Sequence, residues 1–263
     1  MSSLPDEGLN SMKNLEILDL RENKISEYPT YVIKNLASLR LLYASNYKLC
    51  CSQFLPEGFN TDNCFTKKNA LDHCEDLLQS NAYRVMLWIF SVLSVFGNTG
   101  SITLRLLLTD KSQGSFGMFV TSLSLSDFAM GIYLIIIGVA DVIYQNDYVI
   151  YTETWKTSYA CHIAGFISLM SSEVSAFTIC LITLDRFLVL RFPFSKYHFG
   201  QKSTLIACVT TWSIGAVIAA IPLLTPLSNW QFFSQSSVCV PLPFTDTFQG
   251  QILYSIYMSH ESI

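Results

Sequence analysis

The chain has 263 residues, 51% of them hydrophobic and only 14% charged, with a formal net charge of −4. Soluble domains carry about 25% charged residues and nucleic-acid binders are normally basic, so a single water-soluble core and a nucleic-acid partner are both excluded. The charge deficit is local: residues 1–82 hold 19 Asp, Glu, Lys or Arg, and residues 83–263 hold the other 17. A polar head therefore precedes an apolar body.

The head opens with a repeat. Leu15-x-x-Leu18-x-Leu20-x-x-Asn23-x-Ile25 fits the leucine-rich pattern L-x-x-L-x-L-x-x-N-x-L. In such a repeat alternate Leu side chains line a short strand, and the Asn bonds to backbone at the turn that follows. Shifted by 24 residues, the frame returns at Leu39-x-x-Leu42 and then decays at Ala44 and Tyr47; Met12 and Leu36 match across the same shift. Residues 1–49 thus read as terminal leucine-rich repeats. Repeats of this kind stabilise one another by stacking, and about three are needed. Two are read as the last piece of a longer solenoid.

Residues 50–83 read as a cysteine-containing hinge with Cys50, Cys51, Cys64 and Cys74. His73 beside Cys74 raises a metal site, but the spacing matches no common zinc pattern. An even number of cysteines in an oxidising compartment fits disulfides. Four cysteines allow three pairings. A ring between adjacent Cys50 and Cys51 is strained, which leaves each of them joined to Cys64 or Cys74.

Residues 84–263 read as a partial bundle of membrane spans. A bilayer core about 30 Å thick takes roughly 20 apolar residues as a helix. Suitable stretches lie at about 85–108, 116–140, 161–190 and 203–224, and a fifth at 248–263 is cut off at Ile263. The end of span one and the loop after it hold Arg105 and Lys111; the end of span three and the loop after it hold Arg186, Arg191, Lys196 and Lys202. The opposite loops hold one Lys (Lys156) and no Arg. The positive-inside rule places the first set in the cytosol, and the head is then extracellular on a multi-pass plasma-membrane protein. An odd number of spans finishes inside, so a chain ending within span five reads as unfinished and is not expected to signal as it stands. The opening MSSLPDEGLN lacks the basic start and apolar run of a signal peptide. Met1 is read as an internal methionine or the start of an incomplete gene model.

Several marks occur in a set order. They are Gly97-Asn98 in span one, Leu123 to Asp127 (LSLSD) in span two, and Cys161 opening span three. Asp185-Arg186-Phe187 closes span three, Trp212 lies in span four, and Cys239 lies in the loop after it. Together they resemble a rhodopsin-like G-protein-coupled receptor, and the repeats narrow the resemblance to leucine-rich-repeat-containing receptors. DFAMGIYLIIIGVAD (127–141), SSEVSAFTICLITLDRF (171–187), RFPF (191–194) and VCVPL (238–242) look most like the relaxin-receptor-like branch, with glycoprotein-hormone receptors the nearest relatives. The resemblance implies an all-α membrane helical bundle of the rhodopsin-like seven-span fold, truncated in span five, behind the end of a leucine-rich-repeat solenoid. It implies a receptor rather than an enzyme, with no enzymatic cofactor. Its partners would be a relaxin- or insulin-like peptide hormone outside, membrane lipid around it, and a heterotrimeric G protein inside, acting through adenylate cyclase. A glycoprotein-hormone-type receptor and a leucine-rich-repeat membrane adhesion protein are the alternatives. An adhesion protein would leave Asp127 and Glu173 inside the membrane unexplained.

The resemblance also assigns roles to residues. Cys161 to Arg186 is roughly 37 Å of helix, which puts Arg186 at the cytosolic mouth. There Asp185 would hold Arg186 at rest and release it to face the G protein. The competing reading of Arg186 is a snorkelling interface arginine. The usual Asp-Arg-Tyr is Asp-Arg-Phe in this chain, which keeps the ion pair and loses a phenol. Pro193 redirects the chain, and Phe194 is expected to anchor the G protein, or else to pack back on spans three and four or dip into lipid. Asp127 and Ser175 each lie about 16 Å from the inner surface, and Asn98 belongs to the same half. The resemblance implies a regulatory Na+ or a water cluster on Asp127, Ser175 and Asn98; the alternative is a protonated Asp127 in packing hydrogen bonds. Cys161 and Cys239 both fall at the outer surface and are expected to be joined. Glu173 points to another face of span three and reads as a neutral strut.

Overall fold

A computed structural model describes residues 12–23, 33–44, 47–66, 74, 76–78, 80–107, 114–192, 199–223, 233 and 236–240. Two compact units divide the chain: Met1–Asp76 with Tyr144–Tyr151, and Leu77–Ile143 with Thr152–Ile263.

The first unit is built on a parallel sheet of β1 (Ile17–Leu20), β2 (Leu41–Ala44) and β3 (Cys64–Thr66), in that order. Ile17 pairs with Leu41 and Leu20 with Ala44, so β1 and β2 keep the 24-residue register of the repeat. Successive side chains alternate across a strand, and the inward set of the Leu frame becomes core. Leu18, Ile33, Leu36, Leu39, Leu42, Ala44, Leu49 and Leu55 are buried together, at about 1.5–3 kcal/mol for each fully covered large side chain. Asn23 Nδ2 donates to the Arg21 carbonyl at 3.2 Å, closing the turn after β1 where Glu22 takes a positive φ of 62°. Met12, the counterpart of buried Leu36, is 50% exposed.

The hinge continues this sheet. β3 pairs with β2, with Leu42 opposite Cys64. A disulfide joins Cys50, at the end of a 3-10 turn over Tyr47–Cys50, to Cys64 on β3, and a second joins Cys51 to Cys74. Cys51, Phe54 and Val149 bury one another, flanked by Tyr47 and Cys74. The segment 144–151 is held to this unit by three more bonds. The Val149 amide donates to the Cys74 carbonyl at 3.3 Å. The Asn146 amide donates to Asp76 Oδ1 at 3.0 Å, and Gln53 Nε2 donates to the Asn146 carbonyl at 3.2 Å. On the outer face of the sheet Tyr43 stacks on Phe65 with ring centroids 5.2 Å apart, and Arg21 lies 4.7 Å over the Tyr43 ring while bonding Asp19 at 2.6 Å. The Arg21 hydrogen bonds hold the Asp19 carboxyl below its ordinary range.

The second unit is helical. Among the described residues four helices are long and apolar enough to cross a membrane. They are α1 (Asn81–Leu107), α2 (Ser115–Ile143), α4 (Tyr159–Arg191) and α5 (Gln201–Ala220), the last prolonged by a 3-10 turn over Ile221–Leu223. A nine-residue helix, α3 (Tyr148–Lys156), lies between α2 and α4 in the chain. Ser158 starts α4 as its N-cap, its hydroxyl accepting from the Cys161 amide at 3.2 Å, which satisfies one of the free donors of the first turn. Side chains bind the spans to each other. Trp212 Nε1 donates to Ser122 Oγ at 3.0 Å between α5 and α2, and Arg105 Nη1 donates to the Gly117 carbonyl at 3.3 Å between α1 and α2. Gly131 lets α1 approach α2, since a Cβ there would meet Val95 Cγ2 at 2.8 Å. The stretch 248–263, read as span five, lies outside the described residues.

Candidate functional site

The second unit concentrates its polar chemistry at three levels. At the inner end of α4, Asp185 is 5% exposed and Arg186 Nε lies 3.9 Å from its Oδ2. The Arg186 guanidinium also sits 3.7 Å over the ring of Phe116, in the first turn of α2. The ring contact was not foreseen; the signal was an aromatic placed at the opposite end of the short loop joining spans one and two. Nearby, Ser115 Oγ donates to the Phe199 carbonyl, and Phe119 meets Phe199 edge to face with centroids 5.6 Å apart. α4 ends as the Phe192 amide bonds the Leu188 carbonyl at 3.0 Å. Pro193 and Phe194 lie outside the described residues.

Near the middle of α2 and α4, Ser175 Oγ donates to Asp127 Oδ1 at 3.0 Å and lies 2.8 Å from Ser126 Oγ. Ser126 Oγ also donates to the Leu123 carbonyl at 2.8 Å. Each hydroxyl carries a single proton. Two protons thus serve three contacts, and in the Ser126–Ser175 contact either oxygen can donate. A set of oxygens of this kind suits a hard cation or a water. Asn98 is not part of it. Its Nδ2 donates to the Ser94 carbonyl at 2.8 Å, and it is Ser94 Oγ that donates to the Asp127 backbone carbonyl, at 2.5 Å. Asn98 thus bonds within α1 beside the cluster, and Ser126 is a further oxygen that the sequence did not single out. Glu173 lies toward α5, where a Cβ built on Gly215 would meet its Cβ at 3.8 Å.

At the outer end, a disulfide joins Cys161 on α4 to Cys239. The loop carrying Cys239 is pinned at further points. Tyr133 Oη donates to the Val238 carbonyl at 2.9 Å, and Trp155 Nε1 donates to the Ser237 carbonyl at 2.8 Å. The Ser236 hydroxyl accepts from the Val240 amide at 2.8 Å, closing a tight turn in which Cys239 takes a positive φ of 55°. Gly165 faces this loop at very close range: a Cβ there would lie 2.4 Å from Phe233 Cδ1 and 2.7 Å from the Cys239 carbonyl oxygen. No cluster of three or more His, Cys, Asp or Glu that could hold a metal occurs among the described residues.

Comparison with known proteins follows the same division of the chain. The 7 transmembrane receptor (rhodopsin family) pattern matches residues 97–260, and the leucine rich repeat pattern matches residues 1–49. The G-protein coupled receptor GRL101 of Lymnaea stagnalis is 35% identical over 215 residues, covering 81% of this chain and 19% of the relative. Human relaxin receptor 2 is 30% identical, covering 78% of this chain and 26% of that protein. The lutropin-choriogonadotropic hormone receptor of Callithrix jacchus is 30% identical, covering 71% and 27%. The chain thus spans about a fifth to a quarter of the length of these curated relatives.

Proposed function

Since the chain belongs to the rhodopsin family of seven-transmembrane receptors, as a multi-pass plasma-membrane member with leucine-rich repeats, we propose that it carries signals from an extracellular peptide hormone to a heterotrimeric G protein. The hormone class is relaxin- or insulin-like, and the G protein acts through adenylate cyclase. One observation supports this reading above the rest. α4 has Cys161, tied to the outer loop, at one end and Arg186, loosely held by Asp185 and Phe116, at the other. An adhesion anchor has no use for either. Displacement of the outer loop would act on α4, and Arg186 at its inner end would be the group that meets the G protein.

The Asp127, Ser126 and Ser175 oxygens would hold a sodium ion near the middle of the bundle. There the ion supplies positive charge to a carboxylate that is costly to bury alone. Similarity to the lutropin-choriogonadotropic hormone receptor keeps a glycoprotein hormone as the second reading.

The test is a seven-span receptor containing this chain, expressed in cells and challenged in parallel with relaxin-family peptides and glycoprotein hormones. A cAMP rise to the first group alone is expected. A rise to the second group alone moves the protein to the other branch. Silence to both, with the receptor at the surface, overturns the hormone-receptor reading.

A further inference from the structure

Asp141 lies at the outer end of α2 and is 0% exposed. Its carboxylate is fully engaged. Arg84 Nε donates to Oδ2, Arg84 Nη2 reaches Oδ1 at 3.4 Å, and the backbone amide of Leu78 donates to Oδ1 at 3.0 Å. Arg84 Nη1 in turn donates to Asn81 Oδ1 at 3.2 Å, fixing the guanidinium on the first turn of α1. None of these residues belongs to the three levels described above.

A buried ion pair is an inefficient way to join two helices. Apolar residues of similar volume generally hold as well or better, because desolvating two charges offsets their attraction. An apolar pair could not, however, accept a hydrogen bond from Leu78. That amide lies four residues after Cys74, which is itself bonded to Cys51. Asp141 thus joins three things: α2 through its own backbone, α1 through Arg84, and the short segment leaving the disulfide hinge through Leu78. The Arg fork suits this use, since it grips one carboxylate with two donors in a fixed plane.

We propose that Asp141 is a positioning residue which, with Arg84, latches the segment leaving the hinge onto the outer end of α2 and sets how strongly hinge displacement reaches the spans. This rests on the receptor reading above, and the test has two arms so that the two ideas fail separately.

In the first arm, amide exchange is followed in the purified chain with Asp141→Leu, Asp141→Asn, Arg84→Met and Arg84→Lys. Asp141→Leu should speed exchange at Leu78 by roughly tenfold or more, with the β1–β3 amides unchanged. Unchanged exchange at Leu78 overturns the latch. In the second arm the same variants are placed in a seven-span receptor, and response per surface receptor is measured beside hormone affinity. Asp141→Leu and Arg84→Met should each lower the maximal response several-fold at unchanged affinity. The double variant should be no worse than the poorer single one, and Arg84→Lys, which keeps the charge but not the fork, should fall between Arg84→Met and the unsubstituted receptor. Additive losses, or a normal response despite fast Leu78 exchange, overturn the coupling role. If Asp141→Leu fails to reach the surface, the near-isosteric Asp141→Asn decides in the response arm: it weakens the Arg84 pair and should lower the maximal response at unchanged affinity, and an unchanged response overturns the coupling role. An unsubstituted receptor silent to every hormone counts against the receptor reading, and the exchange arm then judges the latch alone.

Discussion

Gly165→Ala is the sharpest test of how the outer loop packs on the bundle. The added carbon would lie 2.4 and 2.6 Å from two ring atoms of Phe233 and 2.7 Å from the Cys239 carbonyl oxygen. Carbon contacts are comfortable at about 3.5–4.0 Å, so the neighbours must retreat by on the order of 1 Å. Neither retreats easily. Phe233 is 2% exposed, and Cys239 is bonded to Cys161, one helical turn before Gly165 on the same face of α4. Overpacking of this kind costs about 1–3 kcal/mol. Against it stands the helix preference for Ala over Gly, up to about 1 kcal/mol. Gly97→Ala isolates that second effect, because Gly97 is also helical and a Cβ there meets nothing within 4 Å. The difference between the two variants should therefore be about 1–3 kcal/mol, with Gly165→Ala the less stable. At roughly 2–4 °C per kcal/mol for a chain of this size, the melting points should separate by several degrees. The assay is thermal unfolding of purified chain in detergent, read by loss of helical circular dichroism. Equal melting points, or a Gly165→Ala chain that outlasts Gly97→Ala, would refute the packing described.

Three further outcomes are expected. Removing the hinge bridge with Cys51→Ala and Cys74→Ala should destabilise the first unit by about 3 kcal/mol, from the 23-residue separation the bond closes; amide exchange in β1–β3 reads this, and unchanged exchange counts against it. Asp127→Asn should abolish any rise in melting temperature on replacing choline by sodium, since a bound ion stabilises only the folded form; a sodium effect that survives the substitution removes Asp127 from the ion site. Arg21→Ala should return the Asp19 carboxyl upward to its ordinary value near 3.8. In the unsubstituted chain the folded-state pKa is depressed, so the Asp19–Arg21 contribution is present above the ordinary Asp pKa and fades as pH falls through the depressed one. Titration of the Asp19 carboxyl by NMR checks this, and an unmoved value refutes it.

The four spans were legible in the sequence because length and continuous apolarity decide a membrane helix with little help from context. The β1–β2 register was legible for a similar reason: a repeat carries its own ruler, and the 24-residue shift in Leu positions is the Cα pairing itself. β3 was not. Cys64-Phe65-Thr66 has no leucine frame, and it is a strand because β2 offers an edge and Cys50 ties it there. The nine residues of α3 are too few and too mixed in polarity to show a helical period. Counting along helices brought Asp127 and Ser175 to one depth, but a count cannot show which way a neutral amide turns, and Asn98 bonds Ser94 instead. Arg84 and Asp141 are 57 residues apart and each sits at the rim of an apolar run. At such places single charges are ordinary in sequence, and only the fold shows that these two meet.

Arg186 bears on the resting state in a quantitative way. Two contacts of different character restrain it: an ion pair at 3.9 Å between its own 46%-exposed side chain and buried Asp185, and a face-on approach to Phe116. An exposed ion pair contributes about 0–1 kcal/mol, and a ring contact at an exposed site about 0.5–1 kcal/mol. A total near 1.4 kcal/mol corresponds to a tenfold preference. Across the range of those two contributions, roughly 0.5–2 kcal/mol, the restrained arginine is preferred by only about two- to thirtyfold. A partner that captures the swung-out side chain meets a standing minority rather than a closed door. Raising the ionic strength would thin one restraint while leaving the aromatic one in place, so the size of that minority should grow with salt, but only modestly.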